Sequence, residues 1–187
     1  MSKISKNIEN PIDNIFIYFS KKSSVFYKNI GLTPNILTTL SLIFGILSGY
    51  LLYKGYSFLS MIFWFIAYYY DCCDGYFARK YNMESKFGDF YDHFSDFSKL
   101  TLILIIMFMI DKEKFLYWIP LIIFTLSLAL IHLGCQEKIY NNNENSVSID
   151  KLKVLCPNKN NIKYTKYFGT GTFTLFIGYI ILTYNNF

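Results

Sequence analysis

Residues 71–96 read DCCDGYFARKYNMESKFGDFYDHFSD, and long apolar stretches flank them on both sides. Asp71, Asp74, Asp92 and Asp96 therefore fall at or near bilayer depth. A lone carboxylate there costs roughly 2.5–3.5 kcal/mol on insertion scales and more in simulations. Four kept close together point to cation binding.

The flanking sequence sets the fold class. The chain has 187 residues, of which 53% are hydrophobic and only 17% charged. The apolar residues come in blocks of spanning length rather than in short amphipathic periods, as in a membrane bundle. Residues 35–54, 57–79, 88–110, 115–134 and 167–185 are the expected spans, with Pro34 opening the first and Pro120 set to kink the fourth. Residues 12–30 mix Ile, Phe and Tyr with three lysines and suit an interfacial amphipathic helix. The polar stretch 137–165 is too polar to span and reads as a loop. The expectation is an all-α polytopic transmembrane helical bundle of five to six spans. It divides into a juxtamembrane segment, 1–32, and a transmembrane domain, 33–187.

No cleavable leader is evident in the polar, lysine-bearing first 33 residues. Fourteen of the 18 basic residues fall in the N-terminal segment and the 79–87 and 137–166 stretches, against Lys54, Lys112 and Lys114 on the other side. This bias places the N-terminus and the aspartate loop in the cytosol. With its lysines flanking apolar spans, the net charge of +5 reads as membrane-surface attraction, not nucleic-acid binding. Cys72, Cys73, Cys135 and Cys156 show no metal-ligand spacing and are expected to be reduced, packed thiols.

Asp71 and Asp74 are three residues apart, and Asp92 and Asp96 four apart, so each pair shares a helix face. Two helices joined by a short loop can aim all four carboxylates at one point. Oxygen ligands at this density suit Mg²⁺ or Mn²⁺, with room for two ions. Gly75 and Gly88 would admit a bulky ligand to the backbone, and Arg79 offers a fork for a phosphate oxygen.

Taken together these residues read D-x2-D-G-x2-A-R-x8-G-x3-D-x3-D, in which Ala78 is the remaining fixed position. The pattern resembles that of the CDP-alcohol phosphotransferase family, integral membrane enzymes of phospholipid synthesis. The Thr33-Pro34-Asn35 entry to the first span, followed by Thr38, is similar as well. The resemblance implies that Asp71, Asp74 and Asp92 bind divalent metal, with Asp96 beside the ions as the base for the acceptor hydroxyl. It implies that Gly75, Ala78, Arg79, Gly88 and, more weakly, Asn35 line the nucleotide and diphosphate pocket. It further implies a CDP-linked substrate, membrane lipids as partners and a homodimer.

Two chemistries divide the family. ARKYNMESKFGDFYD, with Asn82 and Phe87-Gly88, resembles enzymes that transfer a phosphatidyl group from CDP-diacylglycerol to inositol. His93 after Asp92 resembles the branch that moves phosphocholine or phosphoethanolamine to diacylglycerol. The short chain favours the first. An ion-transporting bundle and a scaffold without catalysis are the rival readings. Helical geometry turns His93 about 100° from Asp92, toward a packing or interfacial role. Lys99 either reaches a phosphate or snorkels to the interface. Gly169-Thr170-Gly171-Thr172 reads as helix packing.

Overall fold

A computed structural model describes residues 5–139, 150–156 and 158–185. Among them there is no strand, and the chain forms a helical bundle. Helix α1 is Pro11–Asn29, α2 Pro34–Tyr53, α3 Ser57–Lys80, α4 Lys86–Ile110, α5 Lys112–Ile139, α6 Ile162–Thr165 and α7 Thr170–Tyr184. Local chemistry sets the starts. The Asn10 side chain accepts from Ile12 N with Pro11 following, Thr33 accepts from Ile36 N with Pro34 following, and Ser85 accepts from Gly88 N. Gly31 and Gly55, both at positive φ, make the turns after α1 and α2.

Among the described residues four segments are long and apolar enough to cross a membrane: Pro34–Tyr53, Lys86–Ile110, Lys112–Ile139 and Lys159–Tyr184. The 24-residue α3 is of spanning length too, packed chiefly against α2, and it carries Asp71 and Asp74 with it. α5 begins before the expected span and continues past it without a break at Pro120. α7 alone rises about 22 Å, short of a hydrocarbon core near 30 Å. The turns from Lys159 to Phe168 lead into it.

α1 inverts the usual pattern of a soluble helix. Asp13, Ser20 and Ser24 face the bundle, while Ile15, Phe19, Phe26 and Ile30 are exposed. An apolar face turned outward beside Lys21, Lys22 and Lys28 is the arrangement of a helix lying in a membrane interface.

The ends of the bundle sort into two sides. At one end Asn185 donates to Leu52 O and Ser57 Oγ, and the Tyr184 hydroxyl donates to Asp111 O. At the other, the chain before α1 meets α5 and the segment leading to α7. Gln136 donates to Glu9 Oε1 at 2.8 Å, and Asn10 donates to Lys166 O at 2.6 Å and to Thr172 Oγ1 at 2.8 Å. Gly169 and Gly171 allow this approach, since a Cβ on either would run into Asn10. A core of Leu52, Trp64, Ile103, Met107, Ile122, Ile177 and Ile181 fills the first of these two ends.

The cysteines depart from expectation. Cys135 and Cys156 form a disulfide that ties the turn Asp150–Leu155 to the end of α5, and only Cys72 and Cys73 are free. The polar stretch folds back on α5, bringing together two residues 21 apart in sequence. The bulk of its Asn run, residues 140–149, lies outside the described residues.

Candidate active site

The C-terminal half of α3 and the N-terminal half of α4 run side by side, joined by a five-residue turn. Asn82 occupies the left-handed region in that turn, at φ +53°, a conformation Asn tolerates better than most residues. The turn lets Asp71 and Asp74 face Asp92 and Asp96. One oxygen from each of Asp71, Asp92 and Asp96 lies within 4.8 Å of the other two. Asp74 sits deeper, 3% exposed, and its Oδ2 accepts from the Thr38 hydroxyl at 2.5 Å.

A cavity of about 130 Å³ opens beside these carboxylates. Asn35, Gly75, Ala78, Arg79 and Gly88 all line it, together with Asp74 and Asp92. The glycines act through what they leave out. A Cβ on Gly75 would stand 3.2 Å from Arg79 Nη1, and one on Gly88 would stand 3.2 Å from Asn35 Oδ1. Pro34, Thr38, Met83, Glu84, Ser85 and Asp89 complete the wall.

Lys99 does not snorkel. It is 5% exposed and its ammonium lies among the carboxylates, 2.8 Å from Asp96 Oδ1 and 3.1 Å from Asp71 Oδ1. It also donates to Ser41 Oγ at 2.5 Å. His93 stays nearer the acidic face than rotation about an ideal helix suggests. Its Nε2 is 3.5 Å from Asp89 and its Nδ1 3.8 Å from Asp92. Being a third exposed, it belongs to the rim.

The site fits hard cations. Its donors are carboxylate oxygens, and the buried Asp92 Oδ1 has no hydrogen-bond partner among the described residues. A buried acceptor left bare is costly unless something else meets it. Asp96 has the most accessible side chain of the cluster, 46% exposed against 17% for Asp71 and 29% for Asp92.

Sequence reasoning passed over Ser41 and Gly45 of α2. With Thr38 they fall at i, i+3 and i+7, a stripe of small residues on the helix face that meets the acidic helices. That stripe was the available signal.

The sequence model of the CDP-alcohol phosphatidyltransferase family matches residues 31–185. No curated protein and no solved structure matches the chain.

Proposed function

Because the chain belongs to the CDP-alcohol phosphatidyltransferase family, it is an integral membrane transferase of phospholipid synthesis, and we propose that it transfers a phosphatidyl group from CDP-diacylglycerol to a small alcohol, inositol in the first place, releasing CMP. The observation that carries this reading is convergence. Five residues expected to hold the nucleotide and diphosphate, namely Asn35, Gly75, Ala78, Arg79 and Gly88, share one cavity wall with Asp74 and Asp92.

In this reading Asp71, Asp74 and Asp92 hold the divalent metal, Mg²⁺ or Mn²⁺, with Asp96 beside it. A bound divalent ion supplies charge neutralisation for the diphosphate and the departing CMP. Arg79 binds a phosphate oxygen through its planar fork. Asp96, the most exposed carboxylate of the cluster, accepts the proton of the incoming hydroxyl. The acceptor oxygen bonds to the phosphorus that carries diacylglycerol, and the bond from that phosphorus to CMP breaks.

Asn82 and Phe87-Gly88 favour the inositol-type branch. One feature favours the second branch, transfer of phosphocholine or phosphoethanolamine to diacylglycerol: His93 beside Asp92 at the rim. The lysine bias favours a cytosolic face for the N-terminus and for the 79–87 and 137–166 stretches, in an endoplasmic-reticulum-type membrane if the source is eukaryotic. Cytosolic reductants would then act on the Cys135–Cys156 bridge, making it open in the cell and closed in protein purified in air.

The test is CMP release by detergent-purified protein from CDP-diacylglycerol and Mn²⁺, with and without inositol. Inositol-dependent CMP supports the whole reading. Release indifferent to inositol keeps the donor and moves the acceptor to serine or glycerol phosphate. Release seen only with CDP-choline or CDP-ethanolamine moves the protein to the second branch.

A further inference from the structure

Two residues of α2, Ser41 and Gly45, seat Lys99. Gly45 stands mid-helix in α2, where nothing in the backbone calls for glycine. A Cβ there would lie 2.5 Å from Lys99 Cγ and 2.8 Å from Lys99 Cδ, so the missing side chain makes the channel through which the lysine stem passes. One turn earlier, Ser41 donates its own proton to Ala67 O at 2.9 Å and so presents lone pairs to the ammonium. Ser41 Oγ, Asp71 Oδ1 and Asp96 Oδ1 give an ammonium, which has three N–H donors, three acceptors.

This divides the cluster in two. Asp71 and Asp96 are bridged by Lys99, and neither lines the cavity. Asp74 and Asp92 do line it, and Asp92 Oδ1 is the buried oxygen without a hydrogen-bond partner among the described residues. A divalent ion and an ammonium held by the same two oxygens would repel strongly in a site of low polarity. The lysine has no easy retreat, because α2 encloses its stem. Four carboxylates meeting one ammonium and one divalent ion are balanced to within one charge.

We propose that Lys99 is a built-in cation that takes the place of one of the two divalent ions expected at this carboxylate cluster, so that each chain binds a single divalent ion, served by Asp92 and the oxygens of Asp71 and Asp74 that the lysine leaves open. This rests on the reading of the site as a divalent-cation-dependent centre. In this role Lys99 is a positioning residue: it fixes the carboxylates of Asp71 and Asp96 and limits the ion count.

The experiment counts ions rather than products. Mn²⁺ is titrated into the detergent-purified full chain, and free Mn²⁺ is read by electron paramagnetic resonance. The expected result is one Mn²⁺ per chain in the wild type and two in Lys99→Met. Gly45→Ala keeps the lysine and only closes the channel for its stem, and it too is expected to gain the second ion. It therefore serves if Lys99→Met does not fold. Two ions in the wild type, or none, overturn the proposal, as does a count of one in either folded variant. The count is separable from the proposed reaction. One Mn²⁺ without CMP release defeats the transferase reading alone, whereas two Mn²⁺ with CMP release defeats this one alone.

Discussion

The Thr38 hydroxyl donates to Asp74 Oδ2 at 2.5 Å across the α2–α3 interface, and this bond turns an otherwise buried carboxylate toward the cavity. Pro34 O lies 3.2 Å from the same hydroxyl one turn back, the alternative acceptor for its single proton, so the helix start that Pro34 sets lies beside the acidic pair on α3. Groups that orient a metal ligand typically matter by about 10–100-fold in metal affinity or activity. Thr38→Val is expected to weaken Mn²⁺ binding and CMP release by that order without loss of membrane insertion. Unchanged Mn²⁺ affinity in the folded variant would show that Asp74 orients itself.

Asp96→Asn removes the proposed base while keeping the side chain's shape. Loss of general-base assistance costs roughly 10²–10⁴-fold in rate. The variant is expected to insert, to purify like the wild type and to lose turnover by at least that factor. Asp92→Asn is expected to abolish turnover by weakening metal binding, and excess Mn²⁺ should rescue it in part. Asp96→Asn should not respond to Mn²⁺ in this way. Retained turnover in Asp96→Asn removes the assigned base.

Glu9 and Asp13, outside the spanning helices, make stability depend on pH. Burial pushes the Glu9 carboxyl up to about 7, and nearby Asp13 adds to the rise. Burial pushes Asp13 up to about 6, against hydrogen bonds from Tyr68 and Thr170. Both groups hold protons more firmly folded than unfolded, so their contribution is full below their ordinary values of 4.5 and 3.8. It is lost as pH rises through about 6 to 7. For Glu9 the swing is on the order of 3 kcal/mol. The expected result is a Tm that falls over this range, with a flatter profile in Glu9→Gln, whose amide oxygen still accepts from Gln136. An identical slope in the variant would mean that Glu9 is solvated.

The Cys135–Cys156 bridge tests both stability and sidedness. Opening it frees the turn Asp150–Leu155 from α5, and bridges closing loops of this size contribute about 3 kcal/mol. Cys156→Ser is expected to lower the Tm of air-purified protein, and a reductant should do the same to the wild type alone. Alkylation in intact cells before lysis should label both cysteines if that face is cytosolic. Protection of both from alkylation in the cell would place the face in an oxidising compartment and reverse the proposed orientation.

Much of the bundle was legible in the chain itself. A bilayer imposes a length and an apolar content on every span, and Pro34, with its fixed φ, marks the start of the first. The four aspartates declare themselves because carboxylates at that depth need a reason, and spacings of three and four put each pair on one helix face. All of this is local: it depends on period, depth and the immediate neighbours of each residue. What only the tertiary structure decided is which faces meet. From its own helix Lys99 had two exits, and the absent Cβ of Gly45 together with the Ser41 oxygen opened the inward one. Cys135 found Cys156 because the polar segment folds back onto the end of α5, and Glu9 found Gln136 because the chain before α1 reaches the same helix end. Those pairings depend on the rotation and approach of helices distant in sequence, set by the packing of small residues and buried polar groups, and helical spacing along one segment carries no record of it.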